Sequence, residues 1–271
     1  MIVSPDARTR PLVSVVTPLY NMARFLPRTA RSILDQTGDF DLEWIVTDGQ
    51  STDGGVDLLR QLARTDLRVK WTSEPDCGQS NAINKGFSRA SGTILAWLGA
   101  DDLYEPGAIA KVVEMFSARP DVQWLVGRCA IINPDDQIIR PSIARYKQFK
   151  MRRYKYRRLL RENFIDQPST FWRRSLFETV GPIDESLHYT MDYDLWLRFG
   201  RHADPLYVDH PLARFRLHPG SKTGAVNRGQ FDEQFAVASR HFGRDKVSRL
   251  IHRFNVEKIV WSYRAMRLIG L

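Results

Sequence analysis

Two adjacent carboxylates, Asp101 and Asp102, follow an apolar run from Thr93 to Leu98 that Ser91-Gly92 and Gly99 bound. The run reads as a buried strand. Acids at its end place negative charge at a sheet edge, which in an open α/β sheet is where ligands bind. Two like charges so close are costly unless something positive sits beside them. A divalent cation carrying a nucleotide phosphate meets that need, because Mg²⁺ and Mn²⁺ prefer oxygen ligands and bridge carboxylate to phosphate. Taken alone, the pair reads first as a cap for the helix starting near Glu105-Pro106.

Four further stretches carry chemistry-bearing residues. Asp48 to Gly54 leaves a strand and enters a helix. Its Ser51, Thr52 and Asp53 can simply cap, or Asp48 can accept hydrogen bonds from a nucleotide base or ribose. Ser73 to Gly86 is a polar loop opening a helix, with Gln79, Asn81 and Lys85 near a terminus that attracts phosphate. Thr190 to Arg198 sets Asp192 and Asp194 at a helix start, where either can cap or act as a general base. Phe215 to Thr223 ends a strand with His218 and Lys222. A lone His is more often structural than a ligand, although His ligates where carboxylates converge.

The elements that must position these residues alternate. Leu12 to Thr17 is a β-rich, nearly all-apolar strand that Pro18 ends, with Tyr20-Asn21 following. Met22 to Gln36 has helical spacing, Leu42 to Val46 is a second strand, and Val56, Leu58, Leu59 and Leu62 mark a second helix. Val69 to Thr72, the helix Gln79 to Arg89 and the strand ending at Asp101-Asp102 complete four strands in a hundred residues, a pattern of parallel α/β units with right-handed crossovers. The second half is less regular. A helix is expected over Glu105 to Ala118, strands over Val122 to Ile132, Gln137 to Ala144 and Gln167 to Trp172, and a helix over Asp192 to Arg201. Late strands follow at Leu206 to Val208 and Leu212 to Leu217, then a basic helical tail from Phe231.

A chain of 271 residues suits one core domain with an appended region: 1–228, split into 11–104 and 105–228, and a tail at 229–271. The charge, 40 basic against 31 acidic residues or +9, points to an anionic partner such as nucleotide phosphate or lipid headgroups. No helix-turn-helix, RRM or zinc pattern supports nucleic acid as that partner. Two cysteines are too few for a disulfide framework, Met1 to Arg10 lacks a signal-peptide apolar region, and no apolar run reaches a spanning length. A cytoplasmic protein is the expectation, with peripheral contact on the inner face of a membrane as an open alternative. From Arg145 to Arg161 nine cations occur without one acid, interleaved with Tyr146, Phe149, Tyr154 and Tyr156. This is either a solvated basic face or a contact with an anionic membrane, to which Arg249, Arg253, Lys258, Arg264 and Arg267 beside Ile251, Phe254, Ile259, Trp261 and Leu268 add a second anchor.

Val13 to Asn21, Asp48 to Gly54, Ser73 to Gly86, Leu98 to Tyr104, Gln167 to Arg173, Thr190 to Arg198 and Arg216 to Thr223, in that order, resemble the family 2 glycosyltransferases of the GT-A fold. The resemblance implies a Rossmann-like, mostly parallel sheet flanked by helices, with an acceptor-side region and a helical tail. It implies an inverting transferase that takes a nucleotide sugar, a UDP-sugar first among them, and uses Mn²⁺ or Mg²⁺. The acceptor would be a glycan or lipid-linked hydroxyl in cell-surface polysaccharide or glycolipid synthesis. By the same resemblance Pro18, Tyr20, Asn21, Asp48, Gln79, Asn81, Lys85 and Lys222 line the nucleotide-sugar site, with Tyr20 and Asp48 at the base and Asp101 at the ribose. Asp102 and His218 serve the metal, and Asp192 is the catalytic base. Ala100 stands where the family's first acid falls, Met191 where a Glu often precedes the base, and Ile83 where some relatives carry a basic residue.

Two rival readings carry different sequence signs. A sugar-phosphate nucleotidyltransferase would place a Gly-rich, basic loop after the first strand, where this chain has Pro18-Leu19-Tyr20-Asn21. A non-catalytic anionic-surface binder would show basic residues without acidic strand ends, and this chain has both.

Overall fold

In the computed structural model, which describes residues 10–222 and 228–268, the first half builds as the alternation predicts. Strands β1 (Leu12–Leu19), β2 (Asp41–Asp48), β3 (Val69–Ser73) and β4 (Ile94–Trp97) alternate with helices α1 (Leu26–Leu34), α2 (Gly55–Thr65) and α3 (Gln79–Arg89). All four strands run parallel in the order β3-β2-β1-β4. Their carboxyl ends therefore share one edge. Val13, Val15 and Val16 are fully buried, as expected of a strand covered on both faces. Gly86 lets α3 approach β1 closely, since a Cβ there would collide with the Val16 side chain.

The second half extends the same sheet. β5 (Leu103–Tyr104), α4 (Ala108–Ala118), β6 (Trp124–Ile132), β7 (Ile138–Ile139), α5 (Pro141–Met151) and α6 (Tyr156–Leu159) precede a 3-10 turn at Gln167–Ser169. Then come β8 (Thr170–Arg173), α7 (Arg174–Val180), α8 (Met191–Phe199), β9 (Leu206–Arg216), α9 (Arg228–Ser239) and α10 (Lys246–Leu268). The nine-stranded sheet continues from β4 through β8, β6, β9 and β5, with β7 paired to β6. β8 runs antiparallel to both β4 and β6, and β9 runs parallel to β6.

Three expectations change. Gln137 to Ala144 is not a strand: only Ile138–Ile139 pairs, and Pro141 opens α5, because proline fits a first helical turn and cannot donate to a ladder. The two late strands are one, β9, whose irregular register against β6 near Arg128 breaks the apolar alternation that suggested a gap. The third concerns detail only: the expected helical tail from Phe231 is two helices, α9 and α10, and Val237, Ala238 and Phe242 are buried in the same cluster as Trp196.

Toward the amino ends of the strands, away from Asp101 and Asp102, Glu43 is buried at 3% exposure. It accepts from Ser14 Oγ at 2.5 Å and from the Ser91 N–H at 2.6 Å, and it pairs with Lys70. Burial opposes its charge, but Lys70, Ser14 and Ser91 outweigh burial and hold the carboxyl down at about 2 from 4.5. A depressed folded-state value means stability present above the unfolded value and lost as pH falls through the folded one. Glu43→Gln should therefore cost on the order of 3 kcal/mol at neutral pH, the worth of a shift of roughly 2.5 units. In urea titrations the gap from wild type should close between about pH 4.5 and 2; a gap that stays constant across that range would contradict it.

Candidate active site

The acid pair lies on the turn after β4, strapped from two sides. Thr29 of α1 donates to the carbonyls of Ala100 at 2.8 Å and Asp102 at 2.9 Å. Arg216 of β9 donates its backbone N–H to Asp102 Oδ1 at 2.8 Å and its Nε to the Asp101 carbonyl at 2.6 Å. Its guanidinium is fully buried, reaches the Asn133 carbonyl at 2.8 Å and pairs with Asp136. His218 Nε2 meets Asp101 Oδ2 at 2.9 Å, with its ring 4.9 Å from that of Phe25. Burial, and then the charge of Asp101, push the Asp102 carboxyl well above the ordinary range. The two carboxylates converge: a Cβ on Gly99 would meet Asp101 Oδ1 at 2.8 Å and Asp102 Oδ2 at 2.9 Å. A paired set of hard oxygen donors suits Mg²⁺ or Mn²⁺ completed by substrate phosphate. His218 stands against Asp101 rather than beside Asp102, and among the described residues no three His, Cys, Asp or Glu side chains form a metal centre.

Around this edge the other sequence candidates divide. Tyr20 is 63% exposed beside Gly49, whose opposite neighbour is Asp76. Asp76 is a site candidate that sequence reading passed over; its place in the polar loop 73–86 was the only sign. Pro18 is inside β1, paired with Thr47 of β2. Asp48 is buried, accepting from the Ser51 N–H and from Ser73 Oγ at 2.6 Å. Asn21, at φ 51°, accepts from the Thr52 N–H at 2.9 Å while its own N–H bonds Ser51 Oγ at 2.8 Å, so it staples the turn after β1 to the turn after β2. Gln79 opens α3 at the same edge. Asn81 donates to Glu185 at 2.9 Å and Lys85 to the Pro75 carbonyl at 2.7 Å, which commits both to holding loops. Lys222 donates to the His188 carbonyl at 2.7 Å, on the loop before α8. Thr223 lies outside the described residues.

α8 carries Asp192 in its first turn and is held by an aromatic stack. Trp196 stacks on Trp97 and Trp124, each with ring centroids 5.8 Å away, and Trp172 meets it edge-on. Tyr193 Oη donates to the Leu159 carbonyl at 2.7 Å. Glu233 of α9 completes the anchorage: it accepts from the N–H groups of His188, Tyr189 and Thr190 and from Thr190 Oγ1, at 2.7–2.9 Å. Burial opposes the Glu233 charge, but those donors outweigh burial and hold its carboxyl low. Of the two acids on α8, Asp194 is buried and paired with Arg198 at 2.8 Å, a structural role. Asp192 is half-buried, and burial pushes its carboxyl from 3.8 up to about 6, with the Tyr193 N–H, Lys147 and Asn163 pulling the other way. A carboxylate near 6 is mostly ionised at neutral pH and still basic enough to take a proton.

The Asp102 and Asp192 sites share one electrostatic neighbourhood. Lys147 of α5 pairs with Asp166 at 2.6 Å and also feels Asp192 and Cys129. Burial raises the Cys129 thiol, and Asp166 and Asp102 raise it further. The Lys147–Asp166 pair is thus electrostatically linked to Asp192, and through Cys129 to Asp102. Neither was legible as a site residue, since Lys147 sat within a basic run and Asp166 outside any motif.

The family model described as Glycosyl transferase family 2 matches residues 14–181. A PGL/p-HBAD biosynthesis glycosyltransferase of Mycobacterium bovis is 32% identical over 192 residues, covering 69% of each chain. An uncharacterized glycosyltransferase of Rickettsia typhi is 30% identical over 238 residues, 84% of this chain and 71% of that one. A match to an uncharacterized glycosyltransferase of Nostoc sp., at 35% identity, spans only 39% of that protein. Among solved structures, S. aureus TarS 1-349 in complex with UDP-GlcNAc aligns with TM-score 0.65 at 17% identity, over 85% of this chain and 66% of that one. The mannosyltransferase PcManGT from Pyrobaculum calidifontis, in complex with GDP-Man and Mn²⁺, aligns with TM-score 0.61 at 21% identity, over 90% and 66%. These likenesses give the fold: the GT-A arrangement expected from the motifs.

Removing the Glu233 carboxylate would leave three N–H groups and a hydroxyl without their acceptor. Glu233→Ala should lower stability by about 1–3 kcal/mol, the cost of a broken buried cap. An unshifted urea midpoint would show that the contact carries no weight.

Proposed function

The chain belongs to glycosyl transferase family 2, and from that premise we propose that it moves a sugar from a nucleoside-diphosphate sugar to an acceptor hydroxyl with inversion. The observation that carries this reading is Asp192. It is a single carboxylate pushed up to about 6 in the first turn of a helix that an aromatic stack and Glu233 hold in place, and Lys147 bears on its charge. The donor lies along the edge that bears Tyr20, Gly49, Asp76 and Asp101, its diphosphate toward Asp102. UDP-sugars are the first donors to test. Asp102 with Asp101 would hold a divalent cation, which when bound neutralises charge on the departing diphosphate. Asp192 takes the proton of the acceptor hydroxyl as that oxygen bonds the anomeric carbon from the face opposite the diphosphate. The anomeric carbon–phosphate oxygen bond breaks and its electron pair leaves on the nucleoside diphosphate. Because the step needs one base and no protein nucleophile, it is a single displacement. His218 orients Asp101, and the Lys147–Asp166 pair sets the charge around Asp192. The acceptor is a glycan or lipid-linked hydroxyl, a class in keeping with the mycobacterial relative's name.

Donor turnover should be measured across nucleotide sugars with Mn²⁺ or Mg²⁺, alongside calorimetric binding of the nucleoside diphosphates. Asp192→Asn should lose about a hundredfold or more in kcat, the worth of a general base, while donor affinity stays within about threefold. In the wild type, kcat/KM should fall tenfold per unit as pH drops below about 6, because the base must be ionised to act. Near-normal turnover by Asp192→Asn, or an acid limb near pH 4, would refute the assignment.

A further inference from the structure

The basic run of α5 and α6 does not form one uniform solvated face. Lys147 pairs with Asp166, Lys150 with Glu162, Arg152 with Asp209 and Arg157 with Asp245. Among the described residues, Arg153, Arg158 and Arg161 pair with no carboxylate, and these three line a single cleft of about 360 Å³ between α5, α6 and α10. Their guanidinium groups are held in place by neutral partners. Arg153 lies over the Phe149 ring at 4.2 Å, Arg158 donates to the Arg153 carbonyl at 2.6 Å, and Arg161 donates to Ser248 Oγ at 3.0 Å. Planar guanidinium forks fixed in this way match the oxygens of a phosphate ester.

The rim of this cleft is apolar and wet. Tyr146 and Phe149 of α5 are 47% and 50% exposed, and Ile143 lies one step back along the same helix. On α10, Val247, Leu250 and Phe254 are 56%, 71% and 68% exposed, and with Ile251 they repeat at helical spacing as one face. Among the described residues, six of the nine large exposed hydrophobic side chains therefore sit on the two helices that flank the cleft. Among the described residues no helix is long and apolar enough to cross a membrane; an exposed apolar stripe beside cations has the character of a helix face that lies in a bilayer interface. Side chains 259–268, which include part of the basic-aromatic anchor expected from the sequence, lie outside the description.

We infer that the α5–α6–α10 cleft binds the phosphate headgroup of an anionic phospholipid, while the aromatic and aliphatic rim of α5 and α10 enters the headgroup zone and docks the protein on a bilayer. Charge selects the occupant: three arginines without a carboxylate partner line the cleft, its one lining carboxylate, Glu162, is taken up by Lys150 and the Tyr146 hydroxyl, and rings beside cations favour the boundary where one edge is apolar and the other wet. α5 borders both places, since Lys147 reaches Asp166 near Asp192 while Tyr146, Phe149 and Lys150 line the cleft. Docking here would hold α5, and with it the Lys147–Asp166 pair, at the membrane from which a lipid-borne acceptor hydroxyl would arrive. That last consequence rests on the transferase reading; the docking itself does not.

The test is co-sedimentation of the full chain with vesicles of phosphatidylcholine alone or with about one-third phosphatidylglycerol. Wild type should bind the anionic vesicles at least tenfold more tightly, and the difference should shrink with added salt. Arg153→Glu with Arg158→Glu should lower anionic-vesicle affinity by about thirtyfold or more, on the scale of a few-fold per lost cation. Phe149→Ser with Leu250→Ser and Phe254→Ser should also release the protein. All of these positions are at least partly exposed, and unchanged urea midpoints and unchanged nucleoside-diphosphate binding confirm that fold and donor site persist. Soluble glycerol phosphate should not displace the protein from vesicles at matched phosphate concentration. Absent binding, equal binding to neutral vesicles, full binding by the arginine variant, or displacement by glycerol phosphate would each overturn the inference; the last would make the cleft a site for a soluble phosphate ester. Loss of donor turnover with vesicle binding intact would instead count against the transferase reading alone.

Discussion

The acid pair is held by one buried cation. Arg216 is fully buried, and a guanidinium out of water is tolerable only where charge and hydrogen bonds surround it. Here Asp136, the carbonyls of Asp101 and Asn133, and its own backbone link to Asp102 supply them. The same contacts fix the turn of Asp101 and Asp102 against β9, and Thr29 closes it from α1. Without Arg216 the buried Asp102 would face Asp101 with less to offset the repulsion that already raises its carboxyl. The turn would then open and the convergence of oxygens on Gly99 would be lost.

A second device couples the acid pair to the base. Trp97 is the last residue of β4, four positions before Asp101, and it stacks on Trp196 of α8, four positions after Asp192. Trp124 and Trp172 close the stack from β6 and β8. The strand that presents the acid pair and the helix that presents Asp192 are therefore packed through one rigid aromatic unit. Glu233 holds the other end of the loop before α8, so the tail that begins at α9 is part of the machinery that positions Asp192.

Much of this was legible in the sequence because it is local. Apolar runs located β1, β2 and β4, the acids after β2 and β4 marked their shared edge, and the periodicity of α3 and α8 placed their helices. What escaped depends on partners far along the chain. Asn81 and Lys85 look like ligand residues beside a helix start, but Glu185 and Pro75 occupy them. The run from Arg145 to Arg161 contains no acid, yet Glu162 and Asp166 just beyond it and Asp209 and Asp245 far along the chain neutralise several of its cations. Asp194 and Asp192 are indistinguishable by spacing; only the pairing of Asp194 with Arg198 separates them. Ile138–Ile139 shows the opposite failure, a β-rich stretch that Pro141 turns into a helix after two paired residues.

The central claim is that one carboxylate, Asp192, drives a single displacement across a cleft whose far wall is the acid pair. It can be tested without knowing the acceptor, because water can stand in for the hydroxyl. Proton NMR of the sugar first released from a turned-over donor, recorded before the anomers equilibrate, reads the stereochemistry directly. The account predicts the inverted anomer, β from an α-linked donor. Initial release of the retained anomer would mean a second displacement on a protein nucleophile, and would contradict it.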